Sequence, residues 1–149
     1  MITRRVLLAS AAAVAASTMA ASAPRATATF EITRSAEEWR RLLTADEYAV
    51  LREEATEKKY SSPLLNEKRP GLYYCRGCDL AVYSSEHKYD SRTGWPSFWK
   101  ALPDAVGTRE DNSFFSTRTE VHCRRCGGHF GHIFDDGPPP TGERHCLNG

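Results

Sequence analysis

Beyond residue 34 the apolar positions first recur at three- and four-residue steps. Ser35-Ala36-Glu37-Glu38 has the spacing of a capping box, in which the Ser hydroxyl and the Glu carboxylate each satisfy an open backbone N–H. Trp39, Leu42 and Leu43 then fall on one face. Thr44-Ala45-Asp46-Glu47 repeats the box, followed by Tyr48, Leu51 and Ala55. Two short helices are predicted, as packing elements without chemistry of their own. From Tyr60 the pattern changes to short apolar runs broken by Gly, Pro, Asn and Asp. The clearest are Leu72-Tyr73-Tyr74, Leu80-Ala81-Val82-Tyr83, Thr119-Glu120-Val121-His122 and His132-Ile133-Phe134. A small, mostly β domain over residues 29–149 is expected, with helices at its front and no internal repeat beyond two CxxC pairs.

Residues 1–28 have a different pattern. Arg4-Arg5 precedes an uncharged stretch from Val6 to Ala23 in which nine of 18 residues are Ala. That stretch is short and weakly apolar for about 30 Å of hydrocarbon, so a membrane anchor is the poorer reading. Ala21-Ser22-Ala23 and Ala26-Thr27-Ala28 both offer small-residue cleavage sites, the second favoured because Pro24 follows the first directly. The segment reads as a twin-arginine-type export signal, and a periplasmic location without stable membrane association after cleavage is expected.

The chain of 149 residues suits one domain. Its formal charge of +1 hides an imbalance, because residues 1–28 hold three arginines and no acid. The remainder has 17 basic against 19 acidic groups, a net of −2. A body of that sign has no electrostatic reason to seek phosphate backbones, and nucleic acid is not an expected partner.

Five cysteines change the picture further. Cys75-Arg76-Gly77-Cys78 and Cys123-Arg124-Arg125-Cys126 are matched knuckles with 44 residues between them. Thiolates two residues apart reach one tetrahedral ion from a tight turn, and a second pair closes a four-sulfur site. Disulfides or a redox CxxC are the rivals. The match between the pairs favours one structural zinc, with Gly77, Gly127 and Gly128 giving the turns their freedom. Cys146 is left over. Arg144 and His145 beside it are cationic groups suited to a thiolate, and Asn148 can donate hydrogen bonds. A buried, inert cysteine is the alternative. His129-Phe130-Gly131-His132 follows the second knuckle, where a rigid turn would hold two imidazoles for acid, base or donor work. Gly94-Trp95-Pro96-Ser97-Phe98-Trp99 gathers three aromatics around a proline, as core or as an apolar pocket wall.

Taken together these motifs resemble a known family. They are Cys75-x-x-Cys78, Gly94-Trp95-Pro96-Ser97-Phe98, Arg118-Thr119-Glu120-Val121, Cys123-x-x-Cys126, His129-x-Gly-His132, Asp136-Gly137-Pro138, Pro140-Thr141-Gly142 and Arg144-x-Cys146-x-Asn148. In this order, from about Ser35 onward, they resemble the methionine-R-sulfoxide reductases. The resemblance implies two antiparallel sheets with zinc away from the active site. It also implies Cys146 as nucleophile, with His132, His129 and Asn148 around it. Trp95 would pack against the substrate methyl group, supported by Asp136 and Arg144. The substrates implied are oxidised proteins or peptides carrying methionine-R-sulfoxide, and a monomer is expected. The rival function is a non-catalytic, zinc-ribbon-like protein-binding module.

Two departures from that pattern bear on function. Many such enzymes carry a second, resolving cysteine just before Gly-Trp-Pro-Ser-Phe; here the position is Thr93. An external thiol reductant, thioredoxin-like or small, is therefore expected. The sequence also ends at Gly149, close behind Cys146 and Asn148, where residues fray unless tied down.

Overall fold

The computed structural model describes residues 29–113 and 116–149. The expected export signal lies outside them. Both capping boxes form. Helix α1 (Ala36–Leu42) has Ser35 as its cap, and α2 (Ala45–Glu53) has Thr44, each with the reciprocal Glu side chain three residues on. Trp39 is buried, but Leu42 is 48% exposed. Leu43, in extended backbone at the cap, takes the buried place instead. Ala55 falls beyond α2, because Glu54 turns left-handed at φ 59°.

The strands are β1 (Leu72–Tyr74), β2 (Ala81–Ser84), β3 (Lys88–Tyr89), β4 (Ser97–Phe98), β5 (Val106–Asp111), β6 (Arg118–Cys123), β7 (His129–Phe134) and β8 (Arg144–Leu147). They form two antiparallel sheets, β1-β2 and β3-β4-β8-β7-β6-β5. The four expected runs are all strands, while β3, β4, β5 and β8 were not foreseen. The last strand of the sequence enters the middle of the large sheet, between β4 and β7. Directly opposed residues of an antiparallel pair share a face. One rung therefore crosses the whole sheet on one side: Tyr89, Ser97, Cys146, His132, Glu120 and Arg109.

The other side is core. Phe98 and His145, the next pair on β4 and β8, meet Tyr83 of the small sheet at ring separations of 4.7 and 5.7 Å. Val121 and Leu147 lie in the same buried cluster. Among the described residues no helix is long and apolar enough to cross a membrane.

Candidate active site and metal centre

The two knuckles converge. Donor sulfurs of Cys75, Cys78, Cys123 and Cys126 all lie within 4.8 Å of one another, with Cys75–Cys126 at 3.6 Å and Cys78–Cys123 at 3.5 Å. Four thiols this close cannot all ionise without a cation between them. Hydrogen bonds from Cys126 and Cys75 hold Cys123 far below the usual thiol range, at about 2. Those bonds to the Cys123 thiolate push Cys126 up to about 12, and Cys75 higher still. The Cys123 thiolate is favoured while Cys126 and Cys75 hold protons that a cation would displace, the chemistry expected of a closed tetrahedral zinc site. The cluster fits a structural zinc. Its turns differ from expectation at Gly77 and Gly128, neither of which takes positive φ. Gly127 takes positive φ (68°) in the second knuckle, but in the first the left-handed residue is Asp79 (φ 54°), not Gly77. Gly77 serves close packing: a Cβ there would sit 3.4 Å from both Cys126 Sγ and the Trp39 ring.

Cys146 is separate from this cluster. Its rung meets β6 at Glu120, three residues or about 10 Å along the strand from Cys123. The thiol is partly exposed, opposite His132 on β7 and Ser97 on β4. Arg144, two residues back, shares its face. Asp136 grips the Arg144 guanidinium with a fork of hydrogen bonds at 2.8 and 3.0 Å and raises its pKa, an effect to which the nearby Cys146 charge adds. The guanidinium also lies 4.3 Å over Phe134. His145 does not join Arg144 beside the thiol. Strand alternation turns it to the core, where its Nδ1 is 2.9 Å from the Tyr83 hydroxyl and its Nε2 is 3.2 Å from Glu143. Burial there lowers its pKa, against the pull of Glu143.

Each of the two candidate histidines on β7 lies against a carboxylate. His129 Nδ1 is 2.7 Å from Glu120 Oε1, and its buried Nε2 has no hydrogen-bond partner among the described residues. His132 Nε2 is 2.7 Å from Asp111 Oδ2, and the two imidazoles meet edge to face at 5.5 Å. Burial works to raise Glu120, but His122 at 3.8 Å, the hydrogen-bonded His129 and the Arg109 charge outweigh it and hold this carboxyl at about 2. Desolvation lowers His132, opposed by Asp111. Sequence patterning singled out neither Asp111 nor Glu120 as a histidine partner. An acid in the apolar Thr119–His122 run was the available signal for Glu120; Asp111 offered none.

The C-terminal residues are tied down rather than frayed. Asn148 donates from its side chain to the Phe130 carbonyl at 2.9 Å and accepts the Glu57 N–H at 2.8 Å. Its amide is thus committed to backbone, and the Gly149 N–H donates to Glu57 at 3.0 Å. Trp95, half-buried, donates its indole N–H to the Glu57 carbonyl at 3.1 Å. Glu57 therefore connects the aromatic loop to the end of β8. Gly131 is required beside it, since a Cβ there would stand 2.0 Å from the Cys146 carbonyl. Gly131→Ala is expected to force β8 away and cost about 3 kcal/mol, read from the urea unfolding midpoint, with catalysis falling in parallel.

The four cysteines within metal reach are drawn together at one end, while the fifth stands on an open sheet face among ionisable side chains. That division is the mark of thiol-based chemistry with a structural metal, as opposed to catalysis at the metal. Comparison with known proteins narrows the class. The SelR domain family matches residues 43–149. Peptide methionine sulfoxide reductase MsrB of Methanosarcina mazei is 47% identical over 119 residues, covering 79% of this chain and 85% of that protein. The protein of the same name from Agrobacterium fabrum is 43% identical over 120 residues, covering 80% and 89%. The chloroplastic peptide methionine sulfoxide reductase B1 of Oryza sativa subsp. japonica is 47% identical over 113 residues, covering 75% and 53%. The chain belongs to the SelR family of B-type peptide methionine sulfoxide reductases.

Proposed function

We propose that the chain reduces methionine-R-sulfoxide in oxidised proteins, with Cys146 as nucleophile. The observation that carries this is the Cys146–His132 pairing across β8 and β7, with Arg144 on the same face. The Cys146 thiolate attacks the sulfoxide sulfur while the His132 imidazolium delivers a proton to its oxygen. That attack forms a transient bond between Cys146 Sγ and the methionine sulfur. The protonated oxygen then passes to Sγ as this bond and the S–O bond to methionine break, so methionine leaves reduced by two electrons and Cys146 is left oxidised as a sulfenic acid, the reversible first rung of cysteine oxidation. With His132 Nε2 tied to Asp111, Nδ1 is the nitrogen that serves the substrate. His129, held by Glu120, supports the bound oxygen. Trp95 packs against the methyl group, and the Asp136–Arg144 pair holds the electrostatics of the thiol. Asn148 acts by fixing the end of β8. A non-catalytic binding module gives no reason for a partly exposed thiol among these groups.

With four cysteines in the cluster and Thr93 in place of a resolving thiol, the sulfenic acid is reduced from outside, by a thioredoxin-like protein or a small thiol. The test is mass spectrometry after mixing with separated R and S epimers of a sulfoxide peptide, without reductant. A dimedone-trapped sulfenic acid on Cys146, formed with the R peptide alone, is the expected result. No change with either epimer in folded, zinc-loaded protein overturns the proposal.

His132 acts only when protonated, and that form disappears as pH rises through a pKa that burial holds below the usual imidazole value. Asp111 opposes the burial effect. Asp111→Asn is therefore expected to move the alkaline limb of kcat/KM to lower pH. A limb that stays in place would assign proton delivery to another group.

The proposal extends to location. Arg4-Arg5 and the uncharged stretch after it support export of a monomer to the periplasm. N-terminal sequencing of the periplasmic fraction should give a start at Pro24 or Thr29; protein held in membranes with residues 1–28 attached would count against it.

A further inference from the structure

The loop between β3 and β4, with the first residue of β4, brings three hydroxyls into line beside Cys146. Thr93 Oγ1 is 3.9 Å from Cys146 Sγ, within reach for a sulfur contact. Ser91 Oγ lies 2.8 Å from Thr93 Oγ1 and 2.7 Å from Ser97 Oγ, and Ser97 Oγ lies 3.1 Å from the Trp95 carbonyl. Four contacts run from the sulfur to that carbonyl, and each requires one proton.

With Cys146 as a thiol there are four protons, one from sulfur and one from each hydroxyl. A carbonyl only accepts, so the direction is fixed: Cys146 S–H to Thr93, Thr93 to Ser91, Ser91 to Ser97, Ser97 to the Trp95 carbonyl. Remove the sulfur proton and three remain for four contacts. The thiolate now accepts, so each hydroxyl can rotate to point toward it, from Ser97 to Ser91 to Thr93 to sulfur. The contact given up is the one to the carbonyl, offset by the charge-assisted hydrogen bond gained at the thiolate. Ser97 is 1% exposed, so this rotation takes place out of solvent.

We propose that Ser97, Ser91 and Thr93 form a hydroxyl relay that reverses when Cys146 ionises and donates a hydrogen bond to the thiolate. Thr93 touches the reacting sulfur; Ser91 and Ser97 are positioning residues that act through it. The only covalent bond broken is the Cys146 S–H, whose proton leaves the relay; the three hydroxyls keep their protons and only rotate. The relay rests on Cys146 being the reactive thiol. Other groups facing the sulfur are Arg144 on its own strand with its partner Asp136, His132 on β7 and Tyr89 on β3. Arg144 supplies charge, whereas the relay supplies the donor that matches both protonation states.

The test is the pH dependence of Cys146 alkylation by iodoacetamide, followed by mass spectrometry on the full, zinc-loaded chain. Thr93→Val, close to isosteric, is expected to slow alkylation at neutral pH about tenfold and move its midpoint upward, since one donor to a charged acceptor is lost. Ser91→Ala should slow it about threefold, as Thr93 keeps its hydroxyl but loses its support. Thr93→Ser should restore the wild-type profile. A Thr93→Val profile that superimposes on wild type, or a Thr93→Ser profile that follows Thr93→Val, overturns the relay. Because alkylation needs no sulfoxide, this result is independent of the catalytic reading, which Cys146→Ser tests separately.

Discussion

Cys146→Ser is expected to abolish sulfoxide reduction, a loss of at least about a thousandfold in kcat/KM, while zinc content and melting temperature stay near wild type. The oxygen must pass to a nucleophile that can hold it reversibly, and a serine hydroxyl at neutral pH neither attacks sulfur nor stores oxygen. The side chain is partly exposed and takes no part in the buried cluster, so its replacement leaves packing almost unchanged. Steady-state reduction of an R-sulfoxide peptide with a saturating thiol, beside zinc stoichiometry on the same sample, measures both halves. Activity retained in this variant would transfer the chemistry to another residue.

The second large effect falls on the fold. A structural zinc supplies about 10 kcal/mol or more of folding free energy, as much as the whole net stability of many domains. Here it would join the turn after β1 to the turn between β6 and β7, 45 residues apart at the closest cysteines, with Trp39 packed against Gly77 of the first knuckle. Cys75→Ser, at a site 1% exposed, is expected to lose the metal and the cooperative thermal transition together. Chelation of the wild-type protein should do the same, and added zinc should restore the transition. A metal-free sample melting at the wild-type temperature would remove the staple role.

What the sequence made legible follows from how local each feature is. Both helix starts were readable because a capping box is settled within four residues, and the knuckles because two sulfurs at that spacing have few other uses. The strands β3 and β4 are two residues each and exist only because Cys146 and His145 pair with Ser97 and Phe98 from the far end of the chain. Strand β5 carries no apolar alternation, since it is an edge strand with Thr108, Arg109 and Glu110 exposed. In β8 the alternation is hidden: the first of its two inward residues is His145, made tolerable by the Tyr83 hydroxyl, so the tetrapeptide does not look like a strand. For the same reason His145 looked like a companion of the thiol. The motifs named the histidines and Cys146, but their carboxylates belong to a register that only the assembled sheet sets.

That register has a consequence for how the protein fails. Moving β8 by one residue would turn Cys146 into the core and bring His145 out, and the thiol would lose the imidazole opposite and the hydroxyls alongside at once. Every intermediate alignment is equally inert. Repair capacity is therefore quantised, present in full or not at all in each molecule, and a heated population should lose turnover and native structure along one curve, with no weakened form between them.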